Sequence, residues 1–148
     1  MSTDEKIYQA YQSGPSNQDK CTLIITLETE LTIYALEYFD REFCGIVSLK
    51  GIPQNVRNLP RSKICCGELQ KIITAMGLDI SEKYTDTVKL NYNSILILTK
   101  NNKQSVIFVG LLINFFHCYW PNLLKCPGFI NSMKKDFNYN IVTYHWSG

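Results

Sequence analysis

Two apolar segments in the first half of the chain predict β-strands. Cys21–Leu27 has the sequence CTLIITL, and Phe43–Lys50 has the sequence FCGIVSLK. Both are rich in β-branched or apolar residues, which are favoured in strands, and a short apolar run suits a strand that is covered on both faces. We therefore predict a buried strand over Cys21–Leu27 and a second strand over Phe43–Lys50.

The segment between them, Thr29–Phe39, fits both a helix and a strand. Its apolar residues recur at the spacing of one helical face, namely Leu31, Tyr34, Ala35 and Tyr38. The run Thr32–Tyr34 would also suit a strand that follows a hairpin turn at residues 28–30. We predict a helix, because Glu37 and Asp40 continue a polar face.

The second half of the chain begins with a strong helix signal and a strong strand signal. Arg61–Met76 has one apolar face and is followed by Gly77, a residue that commonly ends helices. Ser94–Val109 contains the strand-like run SILILT, two asparagines suited to a turn, and the β-branched run QSVIFV. The sequence therefore predicts a helix over Arg61–Met76 and a β-hairpin over Ser94–Val109.

The remaining elements complete an α+β fold with a mixed or antiparallel sheet and about three helices. We predict a helix within Leu111–Leu124, a short helix within Pro127–Phe137 and a closing strand over Ile141–Trp146. Residues 1–20 are expected to form a polar N-terminal arm, with a short helix over Asp4–Gln12. Residues 21–148 are expected to form a single domain, because 148 residues is an ordinary domain length.

An uncharged stretch of 21 residues, Gln104–Leu124, is long enough to span a bilayer. Within it lie Asn114, His117 and Pro121, and polar groups are costly in hydrocarbon. The mean hydropathy of the chain is −0.10, which is that of a water-exposed protein. We predict that this stretch is buried core and that the membrane is not a partner.

No pattern typical of a catalytic or metal site stands out. Glycine-rich phosphate loops are absent, and the Cys and His residues lack the short paired spacing of structural zinc sites. The first residues carry no apolar leader, so we expect the six cysteines to be reduced thiols in an intracellular protein, cytoplasmic or nuclear. The prediction is no catalytic residue, no metal and no cofactor.

A cluster of aromatic residues suggests a non-enzymatic protein-protein interaction module, either a subunit of a larger assembly or an adaptor. The expected partner is another protein chain or a second copy of this one, because aromatic anchors dominate such interfaces. The predicted partner-binding residues are Phe115, Phe116, Tyr119 and Trp120. The abundance of Lys, Asn, Ile, Tyr and Phe is typical of A/T-rich genomes, including those of some viruses.

The distribution of charge supports an alternative function, single-stranded nucleic-acid binding. Residues 1–86 contain nine Lys and Arg against twelve Asp and Glu, whereas residues 87–148 contain six Lys against one Asp. A basic region attracts phosphates, and aromatic side chains beside it can stack on bases. The residues predicted to bind nucleic acid are Lys134, Lys135 and Tyr139.

Overall fold

The structure is a computed structural model, and it describes residues 7–51, 67–100, 102–134 and 141–144. Within these ranges six strands form one mixed sheet. They are β1 (Ile7–Tyr8), β2 (Thr22–Thr26), β3 (Cys44–Ser48), β4 (Ser94–Thr99), β5 (Ile130–Lys134) and β6 (Ile141–Tyr144). Their order across the sheet is β1-β3-β2-β4-β5-β6. The four central strands are parallel and the two edge strands are antiparallel, so the predicted α+β fold with a mixed sheet is confirmed.

Helices connect the parallel strands. In the described ranges they are α1 (Thr29–Tyr38), α2 (Glu68–Met76), α3 (Lys103–Tyr119) and the short α4 (Pro121–Leu124). The first helix joins β2 to β3, and α3 with α4 joins β4 to β5. Parallel neighbours need such crossover connections, because a tight turn can only reverse the chain direction.

Two apolar cores lie on opposite faces of the sheet, because successive side chains of a strand point to opposite sides. On one face Ile24 of β2 packs in a cluster with Leu31 and Ala35 of α1. On the other face Leu23 and Ile25 belong to the larger cluster, whose helical members include Phe108 and Leu112 of α3, and α2 and α4 contribute to it as well. The helices α1 and α3 therefore cover opposite faces of the sheet.

Several sequence predictions are confirmed. The ambiguous segment Thr29–Phe39 forms a helix, α1. Gly77 ends α2 with a φ of 74°, a left-handed conformation that glycine adopts without steric cost. The helix predicted over Arg61–Met76 is confirmed for Glu68–Met76 only, because Gly67 has an extended backbone and precedes the first helical residue; residues 61–66 lie outside the described ranges. The closing strand is β6.

The predicted hairpin over Ser94–Val109 is wrong. Its first half is β4, but the residues from Lys103 onward form helix α3. The side chain of Asn102 accepts a hydrogen bond of 2.8 Å from the backbone N–H of Ser105, which is an N-cap rather than a turn. The buried positions of α3 then follow helical spacing: Ser105, Phe108, Leu112, Phe115 and Phe116.

Two predicted short helices are also wrong. In Pro127–Phe137 the described residues form strand β5, which pairs in parallel with β4 and has Ile130 buried. In Asp4–Gln12 the described part contains strand β1, which pairs antiparallel with β3. Both segments are too short for helix periodicity to be informative, and hydrogen bonding to a neighbouring strand decides their structure.

None of the helices in the described ranges has both the length and the apolar character that crossing a bilayer requires. The longest of them, α3, covers most of the uncharged stretch Gln104–Leu124. Its buried side chains pack in one cluster with side chains of the sheet, in agreement with the prediction that this stretch is buried core.

Candidate functional site

The carboxyl ends of β2 and β4 lie side by side at one edge of the sheet, and we call this position the crevice. These strands are adjacent and parallel, and their last paired residues are Thr26 and Leu98. From β2 the chain turns into α1 on one face of the sheet, and from β4 it turns into α3 on the other face. In open parallel sheets, ligands bind where neighbouring connections diverge in this way. The sheet topology therefore selects this edge as the candidate site.

Three charged side chains meet at the crevice. The Nζ atom of Lys100, which follows β4, lies 3.0 Å from Oε2 of Glu28, which follows β2. The same ammonium group also forms an ion pair with the carboxylate of Glu30. All three side chains are partly exposed, with 29% for Lys100, 37% for Glu28 and 56% for Glu30. Ion pairs this exposed contribute little to stability, so their charges remain accessible to a ligand.

Two helices, α1 and α3, begin beside the crevice, and hydrogen bonds at their N-termini order the backbone there. The carbonyl of Glu28 accepts hydrogen bonds of 3.1 Å from the N–H groups of Leu31 and Thr32. On the other side, Asn102 caps α3. The positive ends of both helix dipoles therefore lie at this edge, where they favour negative charge. Glu28 and Glu30 are placed well for the dipole of α1.

Three buried hydroxyl groups connect the strands beneath the crevice. The Oγ1 atoms of Thr26 and Thr32 lie 2.6 Å apart, and Thr32 donates to Oγ of Ser48 at 2.9 Å. These residues belong to β2, α1 and β3 respectively. The chain of hydrogen bonds fixes α1 against the sheet edge and so fixes the carboxylates that α1 begins with.

Further lysines lie on either side of the crevice along the carboxyl edge of the sheet. Lys50 follows β3, Lys103 begins α3 and Lys134 ends β5. From α2, the Nζ atom of Lys71 pairs with Glu68 at 3.0 Å and donates to the carbonyl of Ser48 at 3.3 Å. Among the described residues, lysines outnumber carboxylates at this edge, where the set is Lys50, Lys71, Lys100, Lys103 and Lys134 against Glu28, Glu30 and Glu68. The edge as a whole therefore has positive charge around a central carboxylate pair.

The four aromatic residues predicted to bind a partner lie elsewhere. Phe115, Phe116 and Trp120 are buried and Tyr119 is half-buried, all in or against the larger core. The indole Nε1 of Trp120 donates to the carbonyl of Asp79 at 3.0 Å. Because α3 packs this side on the sheet, three of the four residues are placed in the interior rather than on a surface. Their partner-binding role stays a prediction, and their burial argues against it.

Of the residues predicted to bind nucleic acid, Lys134 lies at the candidate site. It is exposed and pairs in register with Thr99, the residue before Lys100. Lys135 and Tyr139 lie outside the described residues. Of the predicted residues, only Lys134 is therefore known to lie at the same sheet edge as Lys100 and Glu28, which the sequence did not single out.

Three of the described thiols are held protonated, and the described residues contain no cluster of metal ligands. Burial raises the pKa of the thiols of Cys21, Cys44 and Cys126, which keeps them protonated and weakly nucleophilic. Within the described ranges, no three His, Cys, Asp or Glu side chains come together as a metal-binding group.

Comparison with known proteins gives a consistent result. Over 132 residues the chain is 36% identical to DNA topoisomerase 2 of Acanthamoeba polyphaga mimivirus, and over 129 residues it is 34% identical to DNA topoisomerase 2 of Pisum sativum. These alignments cover 86% and 84% of the chain. The chain is similar to one part of DNA topoisomerase 2. It spans only 10% and 9% of the two relatives.

A solved structure supports the same relationship. The crystal structure of the Plasmodium falciparum topoisomerase II DNA-binding, cleavage and re-ligation domain matches with a TM-score of 0.81 and 30% sequence identity. The match covers 95% of this chain and 21% of that one. No protein-family model matches the chain.

These similarities overturn the functional prediction. The chain was predicted to be a non-enzymatic interaction module, a complex subunit or adaptor, and that prediction is wrong, because its relatives are DNA topoisomerase 2, an enzyme that acts on DNA. The prediction that the chain is not an enzyme is overturned by the same similarities. A sequence does not distinguish aromatic residues that anchor an interface from aromatic residues of the core.

Sequence reasoning missed Glu28, Glu30 and Lys100. The available signal was that each of two strand-like runs, CTLIITL and SILILT, is followed at once by charged residues. In neighbouring parallel strands these charged residues meet at one edge. The sequence does not show which strands are neighbours or in which direction they run, so this signal did not identify the site.

Proposed function

We propose that this chain is part of an enzyme of the DNA topoisomerase 2 type and binds duplex DNA along the carboxyl edge of its sheet. The observation that carries the proposal is the 36% identity to DNA topoisomerase 2 across 86% of the chain. The likeness to a topoisomerase II domain described as DNA-binding, with 95% of this chain covered, supports it.

The charges at the carboxyl edge provide the physical support. Phosphates are bound by lysine side chains and by helix N-termini, and both are present there. Lys50, Lys103 and Lys134 follow or precede different elements, so they spread along the edge rather than forming one point charge. Such a row suits the repeated charges of a DNA backbone.

Cleavage and rejoining of DNA belong to the much longer relatives, and for this chain they are part of the proposal. The role we propose for the chain is to hold the DNA backbone while the remainder of such an enzyme acts. Nucleic acid thereby becomes the principal partner, and association with a second copy of the chain stays a prediction. A DNA partner also agrees with the expected intracellular location.

The proposal is tested by DNA binding at several salt concentrations. Fluorescence anisotropy with a labelled duplex should show affinity that falls steeply with salt, because binding releases counterions from phosphates. Lys134→Ala and Lys50→Ala should each reduce the slope of log K against log salt by about one. Lys89→Ala is the matched control, because Lys89 is exposed on the connector that precedes the amino end of β4.

Two results would contradict the proposal. One is the absence of salt-dependent duplex binding, and the other is an equal effect of Lys89→Ala and Lys134→Ala, which would mean that the charge acts without a defined site. A single-stranded oligonucleotide of the same sequence is measured in parallel. Tighter binding to the single strand would favour the alternative predicted from the sequence.

A further inference from the structure

The carboxylates at the crevice already have a cation between them. Proteins that act on phosphodiester bonds often hold a divalent ion between carboxylates, where it neutralises charge on the phosphate. The two carboxylates at the ends of β2 and α1 are Glu28 and Glu30, and the group that bridges them is the ammonium of Lys100. The position suited to a divalent ion is thus taken by a side chain of the same molecule.

The register of the sheet places Lys100 there. Thr26 is paired with Leu98, and Glu28 and Lys100 each follow two residues later. The two residues therefore leave neighbouring parallel strands at the same level. Since α1 and α3 both begin within the next few residues, neither chain has the length to move its charged residue far from the other.

The ligands that remain do not fit a divalent ion while Lys100 is in place. Mg²⁺ requires a tight octahedral shell of oxygen ligands, to which one or two free carboxylates usually contribute together with waters and substrate phosphates. Here both carboxylates are bound by the ammonium, and the described residues supply no third carboxylate, His or Cys to the group. A divalent ion would have to displace a positive charge that belongs to the chain.

We propose that Lys100 is a built-in cation that replaces a divalent metal ion at this edge, so that the edge binds DNA without metal. The replacement itself stands on the ion pairs with Glu28 and Glu30. The statement about DNA rests on the proposed function. The two parts are tested separately.

The first test measures Mn²⁺ binding by two methods, electron paramagnetic resonance of the free ion and isothermal titration calorimetry. Wild type and the control Lys89→Ala should show no saturable binding up to about 1 mM, the affinity range of weak protein sites for divalent ions. Lys100→Ala frees the carboxylate pair, and Lys100→Asp adds a third carboxylate. Both should bind Mn²⁺, with Lys100→Asp at least about tenfold tighter than wild type.

Adding Glu28→Gln to Lys100→Asp assigns the bound ion to the crevice. The gain in Mn²⁺ affinity should be lost in this double variant. A wild type that binds as tightly as Lys100→Asp would overturn the proposal. So would a gain that survives Glu28→Gln, or its absence in both Lys100→Ala and Lys100→Asp. Lys100→Met retains the length of the side chain and serves in place of any variant whose circular dichroism shows a loss of fold.

The second test compares duplex binding in MgCl₂ and in EDTA at equal ionic strength. The affinity of wild type should differ by less than about twofold between the two, apart from the general effect of salt. Binding that requires Mg²⁺ would overturn the metal-free mode. Absence of DNA binding in both solutions would contradict the proposed function instead, and the Mn²⁺ titrations would still decide the role of Lys100.

Discussion

The phenol oxygen of Tyr92 occupies the space where a Cβ atom of residue 45 would stand, so only glycine fits in strand β3 at that position. The same oxygen accepts a hydrogen bond of 3.0 Å from the N–H of Ala10 and donates one of 2.6 Å to Oε1 of Gln9. Tyr92 thereby connects the residues after β1 to the sheet. Because Gly45 has no side chain, the phenol group of Tyr92 can lie against the backbone of β3.

Gly45→Ala should reduce the free energy of unfolding by about 1–3 kcal/mol, because the added methyl group overpacks a buried site. Denaturation in urea measures the change. Gly110→Ala is the matched control: Gly110 is exposed in the middle of α3 and a Cβ there meets open space. That substitution should raise stability by about 0.5–1 kcal/mol, since alanine favours helices. Equal effects of the two substitutions would contradict the packing described for Tyr92.

Phe116→Ala should destabilise the fold by about 3–5 kcal/mol, because the ring is fully buried and its removal leaves a cavity. Tyr119→Ala removes a half-buried ring and should cost clearly less. Thermal and urea unfolding of both variants give the comparison. A stable Phe116→Ala protein with altered self-association on size-exclusion chromatography would return Phe116 to the surface role predicted from the sequence.

Tyr92 should make stability depend on pH in the alkaline range. Burial raises the pKa of its phenol above the ordinary value of 10.0, and negative charge at Cys21 adds to this, whereas hydrogen bonds with Ala10 and Ser13 and the positive charge of Arg41 oppose it. The folded state therefore holds the phenol proton more tightly than the unfolded state. Its contribution is fully present below pH 10 and is lost as the pH rises through the folded pKa.

Urea unfolding between about pH 8 and pH 11 tests this, since the interval brackets the ordinary tyrosine pKa. Tyr92→Phe should be less stable than wild type at pH 8, because Ala10 loses its acceptor, and should lose less stability as the pH rises. Tyr38→Phe removes a phenol that is 71% exposed and should retain the pH dependence of wild type. Identical pH dependence in wild type and Tyr92→Phe would assign the effect to other groups.

Local sequence was sufficient for elements whose pattern is complete within a few residues. The sequence correctly predicts the strands β2, β3 and β4, the last of these as the first half of the predicted hairpin. It also predicts the end of α2 at Gly77. The spacing of Leu31 and Ala35 identified α1 despite its strand-like residues. These features depend on side-chain volume, branching and backbone freedom, which each residue carries with it.

The direction of the chain after β4 was decided by tertiary structure. The run QSVIFV has strand propensity, yet it forms the start of α3, because Phe108 and Leu112 then reach the core while Asn102 caps the helix. Propensity differences of this size are smaller than the free energy of burying two large side chains. Because α3 carries the chain back across the sheet, β5 pairs with β4 in parallel.

The sequence by itself determined which segments are apolar enough to form a sheet and which charged residues follow them. Only the tertiary structure decided that Glu28 and Lys100, which are far apart in the chain, lie side by side. Strand propensity contains no information about whether neighbouring strands run parallel or antiparallel. That choice depends on the connections, because helical crossovers between β2, β3 and β4 return the chain in the same direction and so place the charged ends of β2 and β4 at one edge.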